Sequence, residues 1–493
     1  FFFAILFCLQ GPGFINFYLK KDFLIKSLSE IGLSAQAGEP YGKNNTLTGQ
    51  KIMVEFADPN PFKEFHIGHL MNNTIGESLS RIIEFQGAKV KRANYQGDVG
   101  LHVAKAIFGK LKNQGKSWQE SYVLGSKLYE EDENVKKEIE ELNKKIYERS
   151  NSKINKIYDE GKKWSLEKFD SIYITLGTRF DYLFFESQTA GFGKKIVEEN
   201  IKNEIFEKGE KGAVIFKGEK VGLHTRVFVN SEGLPTYEAK ELGLAKIKYD
   251  KFKYDNSIVI TASEQKEYFK VVLATMLEIF PDLANKTKHI GHGMMRLPEG
   301  KMSSRTGKVV TFEFLLNEVE NLVQEKIKDR NFSEKEKGEI IEKVAIGALK
   351  YSILKQSIGS DIIYDFEKSI SFEGDSGPYL QYSYARAQSI FKKAKIEKIK
   401  TSLKNIPKEI NQLERDMSYF PEIIEKAGKE YEPHYVVLYL TELAREFNNY
   451  YAKNKIVDKT DGFSPYKVAL TEAFSIIMKN GLWLLGIDSL EKM

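Results

Sequence analysis

Residues 51–58, KIMVEFAD, make an apolar run of strand length, then a polar loop PNPFKEF, then apolar positions at helical spacing from Ile67 to about Gln86. Gly87 stands where a helix stop belongs. KVKRANY, 89–95, is a second strand-like run, and the glycine turn QGDVG after it leads into another helix. Strand, loop, helix, strand is the repeating unit of a parallel sheet. The rhythm returns with SIVITA at 257–262, a helix ending before Pro281, and HIGHGMMRL at 289–297. Between these halves, about 127–170, Lys and Glu at helical spacing predict an exposed helical insertion. From about 360 onward the pattern is wholly helical. Val437, Leu440, Ala444, Phe447 and Tyr451 share one helical face, as do several positions between Phe474 and Leu485. The expected architecture is an α/β domain with a helical insertion, followed by an all-α domain.

Two stretches sit outside this rhythm. Residues 34–50 are small, polar and turn-rich and read as a linker. The chain opens on FFFAILFCL, nine apolar residues. That is far short of the roughly 20 a membrane span needs, and it lacks the basic flank and cleavage site of a signal peptide. It reads as a core strand or helix of a domain whose beginning is missing. No other apolar run approaches span length, so a soluble protein is expected.

Composition narrows the classes further. A length of 493 residues predicts about three domains. With 42% hydrophobic and 29% charged residues, the chain is neither disordered nor fibrous. The single cysteine, Cys8, excludes a disulfide framework and a thiolate zinc cluster and points to a reducing compartment, most simply the cytoplasm. A formal charge of +5, from 74 Lys+Arg against 69 Asp+Glu, neither requires nor excludes nucleic acid.

Two segments carry candidate chemistry. In PNPFKEFHIGHL, His66 and His69 straddle Gly68 at the start of a helix that follows a strand. Backbone N–H groups and the positive end of the helix dipole make such a place an anion site, and imidazoles there stabilise charge on a phosphoryl group. A capping histidine pair explains the same spacing. GKMSSRTGKVV, 300–310, is a glycine-bounded loop holding Lys301, Ser303, Ser304, Arg305 and Lys308, groups suited to a leaving pyrophosphate. Alone, it also reads as a solvated basic turn.

Together, HIGH and KMSSR resemble the two signatures of class I aminoacyl-tRNA synthetases. VEFADPNPFKEFHIGHL, NYQGDVG, LPTYEAKELGLA, KMSSRTG, GPYLQYSYARAQSI, FNNYYAKNKIV and NGLWLLGI occur in this order, and each is similar to a segment of arginyl-tRNA synthetases. The resemblance runs from about Gly11 to the C-terminus. It implies a Rossmann-like parallel-sheet catalytic domain at 41–365 with an insertion at about 110–175, and an all-α anticodon-binding domain at 366–493. Residues 1–40 would be the remnant of an N-terminal tRNA-contacting domain.

The implied reaction is ATP-dependent formation of arginyl-adenylate, then transfer of the arginyl group to the terminal adenosine of arginine tRNA. His66, His69, Lys63, Lys301, Ser303, Ser304 and Arg305 match catalytic positions. Glu55, Asn60, Tyr237, Glu241 and Gln265 match the arginine pocket, and two acids suit a planar cation. Gly68, His292 and Met295 match the region bordering ATP. Mg²⁺ should accompany ATP, with no dedicated metal site in the chain. Two departures stand out: Glu241 replaces the Asp of much of the family, and Ser304 stands where many class I enzymes carry a second lysine, a role that Lys63 would take over.

For RNA, the resemblance points to the last third. Eight basic residues against one acid lie between Ser383 and Lys408, with Tyr382, Tyr384, Tyr450 and Tyr451 as candidate stacking partners. The implied partners are arginine tRNA and L-arginine, with no membrane, for a cytoplasmic monomer. A cysteinyl enzyme would need a thiolate zinc site, and a glutamyl or glutaminyl enzyme a basic pocket. A small-molecule nucleotidyltransferase has no use for the basic helical domain. A catalytically impaired RNA-binding relative is the remaining alternative.

Overall fold

The computed structural model describes residues 4–10, 14–112, 117–298 and 310–493. β1 (Ala4–Gln10) and β2 (Phe14–Leu19) form an antiparallel hairpin with Cys8 opposite Asn16. Helix α1 (Lys21–Gln36) follows and takes in the first three residues of the expected linker. β3 (Lys51–Glu55), α2 (Ile67–Phe85) and β4 (Lys89–Gln96) make the first parallel unit, as the spacing predicted. α3 (Leu101–Lys112), α4 (Trp118–Glu131), α5 (Glu133–Glu148) and α6 (Ser152–Thr175) then precede β5 (Tyr182–Phe185) and α7 (Glu186–Glu199).

A small antiparallel sheet, β6 (Glu207–Lys208), β7 (Val214–Phe216) and β8 (Arg226–Val229), leads to α8 (Tyr237–Lys251). The second parallel unit is β9 (Asn256–Ala262), α9 (Lys266–Ile279), α10 (Pro281–Lys286) and β10 (Thr287–His292). β11 (Met295–Arg296) pairs with β12 (Ile362–Ile363) across α11 (Phe312–Ile327) and α12 (Glu334–Leu354). The short α13 (Phe366–Ser369) precedes the helical domain, α14 (Gly377–Ile396), α15 (Gln412–Ser418), α16 (Phe420–Glu430), α17 (His434–Lys453) and α18 (Ser464–Leu484).

The parallel sheet has the order β10-β9-β3-β4-β5. Its direction of growth reverses between β3 and β9, and a doubly wound sheet binds ligands beyond the carboxyl ends of the strands at such a switch point. Strand alternation sorts β3 between two cores. Ile52 and Val54 join the core on the α2 side, whereas Met53 packs with Leu244, Phe252 and Tyr254 around α8. Glu55 keeps step with Met53, so its carboxylate is delivered to the α8 side.

Three expectations change. HIGHGMMRL is two strands in two sheets, broken at Gly293, where a Cβ would stand 2.1 Å from Ser360 O. The charged stretch is helical but not merely a solvated face. Ile139, Leu142, Ile146, Ile154 and Tyr158 close a core of their own around Phe62, Ile107 and Trp118. Tyr451 leaves the buried stripe of α17: Val437, Leu440, Ala444 and Phe447 are buried, while Tyr451 is 43% exposed.

Helix α2 lies directly on the chain leaving β3. A Cβ on Gly76 would stand 2.1 Å from the Phe56 ring. Gly76→Ala is expected to lose about 1–3 kcal/mol of stability by overpacking, seen as a lower denaturant midpoint. Gly338→Ala, whose Cβ would meet nothing within 4 Å on helix α12, should hold or gain up to about 1 kcal/mol.

Candidate active site

The first turn of α2 is capped by histidines. His66 is the N-cap, and its Nδ1 accepts the Gly68 N–H at 3.1 Å, while His69 Nδ1 accepts the His66 N–H at 3.1 Å. The two rings stack with centroids 3.6 Å apart. Burial, with Lys63 nearby, lowers His66 to about 4. Burial, then His66 and Lys63, holds His69 well below the ordinary imidazole value. Both rings are therefore neutral at physiological pH. With Nδ1 accepting, each keeps its proton on Nε2 and is a hydrogen-bond donor. Gly68 suits the cap because a Cβ there would meet the His66 ring at 3.0 Å.

The loop feeding this turn is held in sparsely populated backbone. Ala57 (φ 76°), Asp58 (φ 47°) and Phe62 (φ 69°) are all left-handed non-glycine residues, a strain that persists only where surrounding structure over-determines it. Phe62 supplies part of that restraint: it is buried edge-on against Trp118 and its N–H donates to Ser165 Oγ at 2.9 Å. On the far side, Ile67 N–H donates to Val310 O and Phe312 N–H to Phe65 O. Val310 ends the GKMSSRTGKVV segment, so its exit is stitched to the histidine turn by backbone hydrogen bonds. Lys301, Ser303, Ser304 and Arg305 lie outside the described residues.

Beyond the ends of β3 and β4 lies a cluster of acids. Glu55 is buried and its Oε2 accepts from Lys248 Nζ at 2.7 Å. Glu241, one turn along α8 from Tyr237, forms no hydrogen bond or ion pair among the described residues. Burial, then Glu55, raises Glu241 to about 8. A second buried pair, Glu186 with Lys240 at 2.5 Å, closes the neighbouring wall. Asn60 joins this wall through Gly97, where a Cβ would stand 2.2 Å from Asn60 Oδ1 and 3.0 Å from Glu186 Oε1. Tyr237 begins α8 at the rim, 59% exposed, and Gln265 stands exposed at the end of β9 where α9 starts.

The other expected residues fall nearby with different surroundings. Lys63 lies with its ammonium 5.2 Å from the Tyr122 ring centroid. His292 ends β10, is buried, and its Nδ1 bonds Gly293 O at 2.7 Å. The Met295 side chain lies in the main apolar core. Sequence reading missed Asp58, Glu186, Lys240, Lys248 and Asp98. Asp98, in the QGDVG turn, is a hub that accepts from Tyr158, Lys162 and Ser187. Its glycine-flanked position was the one available signal; the lysines looked like ordinary helix-surface charges.

In the helical domain a cavity of about 720 Å³ is lined by Arg330, Tyr382, Arg386, Lys393, Tyr451 and Lys455, among others. The Arg386 guanidinium lies 4.8 Å from the Tyr382 centroid and 5.1 Å from that of Tyr451, and it hydrogen-bonds Asn448. Tyr384 and Tyr450, 5% and 9% exposed, pack in the core instead and have no face free for stacking. Of the basic cluster 383–408, only Arg386 and Lys393 line the cavity; Arg330, Lys455 and Lys492 reach it from elsewhere.

Residues 34–366 match the family model for tRNA synthetases class I (R), catalytic domain, and residues 380–493 match the DALR anticodon binding domain. The chain belongs to the arginyl class I tRNA synthetase family. It is 31% identical to the arginine–tRNA ligase of Treponema denticola, covering 98% of this chain and 85% of that protein. It is also 31% identical to the arginine–tRNA ligase of Clostridium perfringens, over 98% and 87%. Thermus thermophilus arginyl-tRNA synthetase superposes with a TM-score of 0.79 at 23% identity, covering 100% of this chain and 89% of that one. A Mycobacterium tuberculosis methionyl-tRNA synthetase in complex with methionyl-adenylate shares the fold more distantly, with a TM-score of 0.55.

The raised Glu241 has a stability consequence. Folded, it keeps its proton up to about 8; an unfolded Glu releases it near 4.3. Between those values the native state binds a proton that the unfolded state lacks, so stability falls as pH rises. Glu241→Gln removes this dependence. Its melting temperature should match wild type near pH 4.5 and exceed it by a few degrees at pH 8. A variant less stable than wild type at every pH would contradict the assignment.

Proposed function

We propose that this chain is an arginine–tRNA ligase that activates L-arginine with ATP and transfers it to the 3′-terminal adenosine of arginine tRNA. The observation that carries the reading is the acidic pocket beside the doubly capped helix, in a chain of this family. The guanidinium enters between Glu55 and Glu241, and the carboxylate end of the substrate lies toward His66. An arginine carboxylate oxygen attacks the α-phosphorus of ATP, and the α–β bridging oxygen leaves with pyrophosphate. The neutral His66 and His69 donate from Nε2 to phosphate oxygens, and Lys63 adds a positive charge on the same side. Lys301, Ser303, Ser304 and Arg305 are assigned to the leaving pyrophosphate, Gly68 to close approach of a phosphate, and His292 and Met295 to the border of adenine. Asn60, Tyr237 and Gln265 complete the arginine pocket. Mg²⁺ would be held by the phosphates of ATP rather than by a cluster of this chain's residues, and would neutralise part of their charge. In the second step the terminal ribose hydroxyl attacks the activated carbonyl carbon and AMP leaves.

The division into an N-terminal segment at 1–40, a catalytic unit at 41–365 and a helical unit at 366–493 is part of this proposal, as are a monomeric state and a cytoplasmic location. Among the described residues no helix is long and apolar enough to cross a membrane.

ATP–pyrophosphate exchange, with and without arginine tRNA, tests the reaction. Exchange is expected with arginine and not with lysine. Its absence in the presence of tRNA, with tRNA binding intact, would show an impaired relative instead. For the RNA contact, the aromatic and cationic cavity of the helical domain is assigned to single-stranded tRNA bases and their phosphates. Replacing both Lys393 and Lys455 by Ala should lower the slope of log affinity against log salt by about two. An unchanged slope would remove the cavity from the interface.

A further inference from the structure

Helix α17 presents two different surfaces on opposite sides. Tyr451 lines the cationic cavity assigned to RNA. Glu442 stands nine residues before it, about two and a half turns at 3.6 residues each, and so faces the other way. There a groove of about 520 Å³ opens between α17 and the α15–α16 pair. Its apolar lining comes from Ile423 of α16 and from Tyr435, Leu438 and Leu443 of α17. Leu438 is 47% exposed, and Tyr419, in the turn between α15 and α16, is 40% exposed. The floor is already set: the Tyr439 O–H donates to Asp416 O at 3.0 Å and ties α17 to α15.

The polar margin of the groove has one sign. Asp416, Glu442 and Glu446 line it, and among the described residues no Lys or Arg does. Glu446 has no ion-pair partner among the described residues. Glu442 pairs outward with Arg445 at 2.6 Å, both exposed, a link worth little in water. Burial raises the Asp416 carboxyl above its ordinary value. Glu446 and Glu442 add to the rise, against the Gln412 hydrogen bond and Arg415. The three acids are therefore close enough to repel one another, and a cation seated among them removes that cost.

Acids around an apolar floor repel a phosphate backbone. They complement a helix with leucine-like side chains on one face and basic side chains beside them. The α17 wall from Tyr435 to Glu446 runs eleven residue steps, about 17 Å at 1.5 Å each, room for about three turns of such a helix.

We propose that this groove docks a basic amphipathic helix of a partner protein. The apolar face of that helix covers Leu438 and Tyr419, and its lysines or arginines lie among Asp416, Glu442 and Glu446. The cavity assigned to RNA stays open on the other side of α17, so both can be occupied together.

The probe is a fluorescein-labelled peptide of Leu and Lys, about three to four turns long, arranged as an amphipathic helix. One control scrambles the same composition so that no apolar face forms, and the other replaces every Lys by Glu. Binding to the full chain is read by anisotropy and located by amide hydrogen exchange. The amphipathic basic peptide should bind at least about tenfold more tightly than either control and slow exchange within 412–446. Leu438→Ser, and separately Glu442→Gln combined with Glu446→Gln, should each weaken binding about tenfold or more. Melting temperature and tRNA affinity should stay as in wild type, and if one variant fails to fold the other decides. Equal binding of the scrambled peptide, protection elsewhere, or variants that bind like wild type would overturn the proposal. So would a loss of tRNA affinity in the variants, which gives the groove to RNA. Self-association of wild type in sedimentation, abolished by the same substitutions, would give it to a second copy and overturn the proposal as well.

Discussion

Helix α2 holds the histidine-capped turn and the helical domain at a fixed separation. Its 19 residues span about 28 Å at 1.5 Å each. The first turn is closed by the histidine cap, and Gly76 allows the middle to lie on Phe56. The last two turns donate outward: Ser78 Oγ to Leu484 O at 2.9 Å, Arg81 to Trp483 O and Gly177 O, and Gln86 Nε2 to Ile424 O at 2.7 Å. These carbonyls belong to α18, α16 and the turn after α6. One continuous apolar core runs from the α2 face of the sheet through α12 into α14, α17 and α18, so the helix is packed along its length as well as tied at its ends.

Two buried lysines show what sets charge in this interior. Lys248 and Lys350 are both out of water. Lys248 faces Glu55, whose attraction outweighs burial and raises the ammonium above its ordinary value. Lys350 is lowered to about 7 by burial, with Arg81 beside it adding to the effect. Its ammonium donates to Leu176 O and Gly486 O, carbonyls at the ends of α6 and α18, at 2.7 and 2.5 Å. Carbonyl dipoles satisfy the hydrogen bonds without supplying the opposite charge. The acid pocket is the mirror case, with too many carboxyls for its one lysine. On the proposed reading, a substrate cation would supply the missing charge.

How much of this was legible in the chain differs by element. Of the parallel strands, β3, β4, β9 and β10 were placed, as was α2, because their apolar runs are bounded by polar loops and Gly87; the four-residue β5 was not. The small sheet β6–β8 was not seen, because its strands are two to four residues long and its core forms only against α7, α8 and α9. Of the acids in the pocket, Glu55 and Glu241 were reachable through the family resemblance. Asp58 was not, because it lies in a loop, and only the departure of β3 from β4 brings it to the Tyr95 N–H. The tyrosines followed the same division: Tyr382 and Tyr451 reach the cavity, while their neighbours Tyr384 and Tyr450 differ only in the helix face they occupy.

The sequence by itself determined the family, the two strand–helix–strand units and the histidine turn. These rest on local features: hydrophobic period, glycine stops and contiguous motifs. What the tertiary structure alone decided is the state of the groups. The neutral Nε2–H histidines, the proton on Glu241 and the lysine partners of Glu55 and Glu186 depend on burial and on residues up to 193 positions away along the chain. A carboxylate or an imidazole carries its chemistry in the sequence, but its charge is set by what the fold packs around it.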